Sequence, residues 1–238
     1  MRSGLCFPID LPSELGDYQR WGKEQSDDAR YFKRQYDKFL NDWGKFGLSE
    51  CWARPEDYIK SAYKTGNALL ETEETAIRSN PFVVAYTPTN GVADYSMGES
   101  IATNFRRLKP ELISSVLLAN STLRWCLSTE PQSIYRGKQI QLRVSFSNLD
   151  VLPAGKYSAT VQVIGPDMRS VFDKKVSVII PELKEGYEPP FAQSVLTEKI
   201  LINGKAGEYQ LLATLDQGEP QLGERLSFMS RRMKAWLN

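Results

Sequence analysis

The sequence predicts an α+β chain whose first half is built from α/β units and whose second half is an all-β sandwich of immunoglobulin type. Three observations carry this. Apolar residues recur at helical spacing through 27–79. A short apolar run, Phe82-Val83-Val84-Ala85-Tyr86, follows as a candidate buried strand. After about residue 121 the period changes to alternation, and seven strand-like runs follow, most of them separated by turn residues.

Taken in order, Tyr31, Phe32, Gln35, Tyr36, Phe39, Leu40 and Trp43 make one helical stripe, with Lys33, Arg34, Asp37 and Lys38 on the opposite face. Gly44 and Gly47 end that run. Pro55-Glu56-Asp57 opens a second helix, since proline is tolerated and acids are favoured in a first turn. Its stripe of Tyr58, Ile59, Ala62, Tyr63, Gly66, Leu69, Leu70, Ala76 and Ile77 runs to Ser79, where Asn80-Pro81 stops it. Then come the strand 82–86, an open loop, and a short helix expected over Glu99–Leu108 and stopped by Pro110. The runs LRWCLST, KQIQLRVSFSN, KYSATVQVIG, SVFDKKVSVII, VLTEKILING, GEYQLLATLD and QLGERLSFMS supply the sandwich. Pro181–Pro190 reads as a polar hinge between its fourth and fifth strands, and the basic tail Ser230–Asn238 as a fraying end. The expected domains are 1–120 and 121–238.

Composition excludes several functions. With 30 Lys and Arg against 29 Asp and Glu, the net charge is +1, which gives no support to nucleic-acid or membrane-surface partners. No apolar run approaches the roughly 20 residues of a membrane helix. The start, MRSGLCFPIDLP, lacks a signal-peptide core, so a cytoplasmic location is expected if Met1 is the true start; otherwise localisation is open. The three cysteines, Cys6, Cys51 and Cys126, have no CxxC spacing and read as packed thiols. There is no histidine, which removes Ser-His-Asp and Cys-His systems and histidine-based zinc sites. No cofactor or metal is expected.

The stretch PFVVAYTPTNGVADYSMGE poses the functional question. In parallel α/β proteins, ligands meet the loops at the strands' C-terminal ends. Thr87, Thr89, Asn90, Asp94 and Tyr95 could hydrogen-bond sugar hydroxyls, and Tyr86 or Tyr95 could stack on a pyranose face. The bland reading is a solvated loop turning at Asn90-Gly91. Asp94 and Glu99 could pair as glycosidic carboxylates, although Glu99 also suits a helix start. Asp10, Glu14 and Asp17 are compatible with a site loop, and nothing selects among them. Arg106, Arg107 and Lys109 read as a solvated helix face, and the 31–43 aromatics, with Trp43 and Trp125, as core packing.

Together, NPFVVAYTPTNGVADYSMGE, FRRLKP and LRWCLSTEPQSIYRGKQIQLRVSFSNLDVLPAGKYSATVQVIGP resemble the C-terminal part of bacterial glycoside hydrolase family 2 proteins, which are β-galactosidase-like and often labelled sugar-binding. The likeness covers about Ser3 to Pro181, and the sandwich continues to about Met229. The resemblance implies a (β/α)8 barrel followed by an immunoglobulin-like sandwich. Residues 82–86 would be the barrel's last strand, 99–108 its last helix, and Ser3–Leu15 the loop after the seventh strand. A whole barrel takes roughly 250 residues, more than the entire stretch before the sandwich, so the barrel would be incomplete. The family's two catalytic glutamates lie on earlier strands, and the layout puts Met1 just past the nucleophile position. No catalytic residue is therefore carried over, and whether the chain is an enzyme stays open. The expected sugar-contacting residues are Tyr86, Thr87, Thr89, Asn90 and Asp94. The expected partners are a carbohydrate and the missing barrel segment or a partner chain that supplies it. The expected function is the C-terminal portion of a hydrolase of β-linked sugars, closing the barrel and rimming the site, and inactive alone. The alternative is a non-catalytic carbohydrate-binding or interaction module, whose mark would be outward aromatics, with Tyr135, Tyr157 and Tyr209 as candidates.

Overall fold

The computed structural model describes residues 10–86, 102–149, 151–182, 190–216 and 223–231. The chain divides into two compact units: a helical unit, Met1–Thr72 with Thr87–Leu117, and a β unit, Glu73–Tyr86 with Leu118–Asn238.

In the helical unit, α1 (Leu11–Arg20) is capped by Asp10, whose carboxylate accepts from Ser13 N–H at 3.1 Å. Ser26 caps α2 (Asp27–Lys45) in the same way through Ala29 N–H, and Asp27 and Asp28 follow in its first turn. Gly47, at φ 67°, carries the chain into a short 3-10 turn, Leu48–Glu50, and then α3 (Pro55–Arg78) begins on its proline. The buried apolar cluster where α1 meets α2 is Tyr18, Ala29 and Phe32. The rest of the aromatic stripe on α2 is not core. Tyr36, Phe39 and Trp43 stay half-buried: Tyr36 packs on Phe39, Phe39 and Trp43 both pack against Tyr58, and Tyr58 in turn meets Trp52.

Two expected elements are absent from the described residues. Residues 81–86 join no β ladder, and Phe82 and Val84 are 88% and 74% exposed. A strand exists only through its hydrogen-bonded neighbours, and none is present here. The described part of 99–108 is a tight turn rather than a helix. An Ala102–Leu108 bridge closes it, Thr103 N–H donates to Arg107 C=O at 2.8 Å, and Arg106 takes a left-handed φ of 59°. Pro110 then starts a helix instead of stopping one: α4 spans Pro110–Ala119. The barrel layout implied by the resemblance is accordingly not met: no strand precedes β1 among the described residues.

The β unit follows the alternating runs closely. Its strands are β1 (Leu123–Glu130), β2 (Ser133–Tyr135), β3 (Lys138–Asn148), β4 (Gly155–Ile164), β5 (Ser170–Ile180), β6 (Ala192–Ile202), β7 (Gly207–Leu215) and β8 (Gly223–Arg231). They form a three-stranded sheet, β1-β3-β6, and a five-stranded sheet, β2-β8-β7-β4-β5. All pairs are antiparallel except β2 with β8. Inward residues of both sheets, among them Trp125, Leu142, Val144 and Phe146 from one and Val161, Val163, Leu211 and Phe228 from the other, share a single core. The hinge 183–189 and the tail from 232 lie outside the described residues.

Tyr209, proposed above as an outward aromatic, is fully buried at the start of β7. It stacks on Phe228 at 5.5 Å, and its hydroxyl donates to Lys205 C=O at 2.8 Å. This is the tyrosine corner of immunoglobulin-like sandwiches, which ties the loop before a strand to the strand itself.

Candidate functional site

Of the five residues expected to contact sugar, Tyr86 is described; Thr87, Thr89, Asn90 and Asp94 lie outside the described residues, as do Tyr95 and Glu99. Tyr86 stands in the β unit, half-buried, at the end of the segment that leads out of α3. Its hydroxyl lies 3.4 Å from Asn120 Oδ1. Burial, followed by a hydrogen bond to Glu74 and that carboxylate's charge, pushes the phenol up to about 12; Arg78 and Arg124 pull the other way.

Those neighbours form a buried polar layer on the outer side of β1 and β3. Arg78, in the last turn of α3, donates to Ala119 C=O at 2.8 Å, Ser121 C=O at 2.9 Å and Ser147 Oγ at 2.9 Å. Arg124 projects from β1 and donates to Thr75 Oγ1 at 2.9 Å. Glu74, Arg124 and Ser147 are all buried. The layer fastens the end of α3 to the sandwich, and so fixes Tyr86. A phenol held neutral and oriented in this way can donate one directed hydrogen bond or present a ring face. It cannot serve as a base near neutral pH.

A second polar cluster lies in the helical unit. Glu14 and Asp17 of α1 are buried rather than set in a solvated site loop. Asn104 N–H donates to Glu14 Oε1 at 3.3 Å, and Arg107 Nε donates to Asp17 Oδ2 at 3.1 Å. Lys109 is buried too, with its ammonium 5.3 Å from the centre of the Tyr63 ring. The basic trio therefore divides: Arg106 is exposed, Arg107 is engaged with an acid, and Lys109 is inside. An open cleft of about 580 Å³ also runs beside α1 and α2, lined by Tyr18, Gln19, Gln25, Arg30, Lys33 and Arg34. Arg30 and Lys33 there are already paired with Asp27 and Asp37.

Among the described residues there is no group of three or more His, Cys, Asp or Glu placed to hold a metal, and no helix is long and apolar enough to cross a membrane. Of the three outward aromatics expected on the sandwich, Tyr135 is exposed. Tyr157 is half-buried with its hydroxyl on Pro153 C=O at 2.9 Å, and Tyr209 is internal.

No family model matches the chain, and no curated protein matches it. Among solved structures it has weak similarity to a CARDB domain from Pyrococcus furiosus, solved in complex with di-metal ions. That match has a TM-score of 0.33 and 16% identity, covering 46% of this chain and 87% of that one. It has similar weak likeness to a glycoside hydrolase, the β-glucuronidase of Parabacteroides merdae. There the TM-score is 0.32 and the identity 19%, covering 45% of this chain and 13% of the enzyme. Likenesses this distant carry no argument about chemistry.

Proposed function

We propose that this chain is a non-catalytic C-terminal portion of a larger hydrolase of β-linked sugars, similar to the family 2 β-galactosidases. It would complete the fold and contribute Tyr86 and the segment after it to the rim of a sugar site. The observation that carries this reading is the small core of the helical unit. Among the described residues its buried apolar side chains are Tyr18, Ala29, Phe32, Ile59, Tyr63 and Ala102, whereas the sandwich cluster draws on both sheets. With so few apolar side chains buried among its described residues, this unit would gain stability from cover by further protein. The exposed apolar segment around Phe82 and Val84 needs the same cover, as a barrel strand awaiting its neighbours would.

The competing reading, a carbohydrate-binding or interaction module built on the sandwich, retains Tyr135 as its exposed aromatic. One exposed tyrosine among the described residues is a poor platform for a sugar chain, so we rank this reading second.

The intact mass of the polypeptide bearing this sequence in its cell of origin tests the proposal. A mass several-fold above 27.0 kDa is expected. A mass near 27.0 kDa, with saturable sugar binding by that short form, would replace it with the second reading.

A further inference from the structure

Helix α1 turns two carboxylates inward one helical turn apart, Glu14 at 1% exposure and Asp17 at 2%. Facing them is the turn that Ala102 and Leu108 close. The two acids are treated differently. Asp17 lies between two guanidiniums: Arg20 Nη1 donates to Oδ1 at 3.0 Å and Arg107 Nε to Oδ2 at 3.1 Å. Glu14 Oε1 accepts one uncharged donor, the Asn104 N–H. Neither Glu14 Oε2 nor the Asn104 side-chain amide nitrogen has a hydrogen-bond partner among the described residues.

We propose that Glu14 is a proton-operated latch: with its carboxyl neutral it holds the 103–107 turn on α1, and its ionisation loosens that hold. A buried carboxyl satisfied by a single neutral N–H is tolerated when protonated and costly when charged. Asp17, with its two arginines, and the Tyr18–Phe105 ring contact at 4.7 Å supply the part of the attachment that does not depend on Glu14.

The charged groups around Glu14 agree with this. Asp17 approaches from α1, Arg107 from the turn, and Lys109 from the residue after it, above Tyr63 of α3; the capping Asp10 acts on Lys109 in turn. On α2 the side packed against α1 is apolar, with Ala29 and Phe32 clustered on Tyr18. Burial is the largest influence and raises the Glu14 carboxyl. The Asn104 N–H lowers it, Asp17 raises it, and Lys109 and Arg107 lower it, with a net upward shift from 4.5. A raised value means that the latched state binds the proton more tightly than the released one. The stabilisation is therefore complete below pH 4.5 and is lost as pH rises through the latched value.

The test is a 13C NMR titration of the Glu14 carboxyl in the full chain, together with amide-exchange protection factors for Asn104 and Arg107 across the same pH range. Wild type, Glu14→Gln and Asp17→Asn are compared. In wild type, Asn104 protection should fall with rising pH by about tenfold for each pKa unit separating the latched and released states. Glu14→Gln should abolish that slope, and Asp17→Asn should lower protection while leaving the slope in place. A Glu14 titration at or below 4.5 overturns the proposal. So does an unchanged slope in Glu14→Gln, which would mark Glu14 as merely structural. If Glu14→Gln does not fold, the wild-type titration decides alone.

Discussion

Tyr209 and Gly204 offer the sharpest test of how the sandwich is closed. Tyr209→Phe removes the hydroxyl that donates to Lys205 C=O and leaves the ring in the core against Phe228. Losing one buried hydrogen bond should cost about 1–2 kcal/mol. Gly204→Ala acts on the same contact from the other side. A methyl group there would sit inside contact distance of the Tyr209 hydroxyl, while the next nearest ring atom, Cζ, would be an ordinary 3.5 Å away. Pushing the hydroxyl aside both overpacks the corner and breaks its bond, for about 2–3 kcal/mol. On the Tyr209→Phe background the obstructing oxygen is gone. Gly204→Ala should then cost less than about 0.5 kcal/mol, and the lower chain entropy of alanine in the unfolded state could make it stabilising. The pair should therefore be strongly non-additive, with a coupling of about 2 kcal/mol in favour of the double variant. Urea unfolding read through Trp125, buried in the sandwich core against Phe146, measures all four proteins. If the two costs add to within about 0.5 kcal/mol, the hydroxyl does not occupy the corner and the account of Tyr209 is wrong.

Two further outcomes follow from the polar layer on the outer side of β1 and β3. Arg78→Ala strands two backbone carbonyls and the Ser147 hydroxyl, and should lower stability by about 3 kcal/mol. Arg78→Lys should recover little of this, because one ammonium cannot span three acceptors that a planar fork reaches; full recovery in urea unfolding would refute the clamp. Tyr86 should ionise well above an ordinary phenol, near 12, in an ultraviolet titration at alkaline pH, and Tyr86→Phe should delete that step. Because the phenol is raised from 10.0, its contribution to stability is present below pH 10.0 and lost as pH climbs through about 12. A Tyr86 that ionises with the other phenols would mean its hydroxyl is not held by Glu74.

What the sequence could reveal depended on whether an element is made by its own residues or by distant ones. The long strands of the sandwich were legible because alternation and turn residues are local. Leu142, Val144 and Phe146 can only face one side of β3. β2 escaped because three residues, Ser133-Ile134-Tyr135, are too short to show a period. Tyr209 was misread although a signal was there: it shares its alternation with Leu211 and Ala213, and all three point inward. Pro110 was ambiguous in principle, since proline both ends helices and begins them. The run 82–86 has strand composition, but composition cannot provide a partner strand. Glu14 and Asp17 were visible as acids near the start of the chain. Their burial was not, because it is created by Asn104 and Arg107, far along the sequence.

The uneven distribution of core has a consequence for where the chain's chemistry can reside. Apolar residues make up 41% of the sequence, an ordinary share for a globular protein. In the β unit much of that share is enclosed between the sheets, Trp125, Phe146 and Tyr209 among it, although Phe82, Val84, Met168 and Ile179 are exposed. In the helical unit fewer of the described apolar residues are enclosed, Phe32, Ile59 and Tyr63 among them, and others lie in half-buried stacks or at the surface, with Trp21 and Phe46 more than 60% exposed. Edge-to-face contacts such as Trp52 on Tyr58, at 5.1 Å, are worth about 1 kcal/mol each and are no substitute for enclosure. The polar groups follow the same division. Arg78 and Arg124 lie where the sandwich is already well packed, and there they immobilise the end of α3 and with it Tyr86. Glu14 lies where apolar packing is thin, so the energy of one proton is a larger share of what holds the turn. A rigid anchor at Tyr86 and a titratable fastening at Glu14 are therefore different devices. Further burial of the helical unit would leave the first unchanged and strengthen the second, since it would raise the Glu14 carboxyl again.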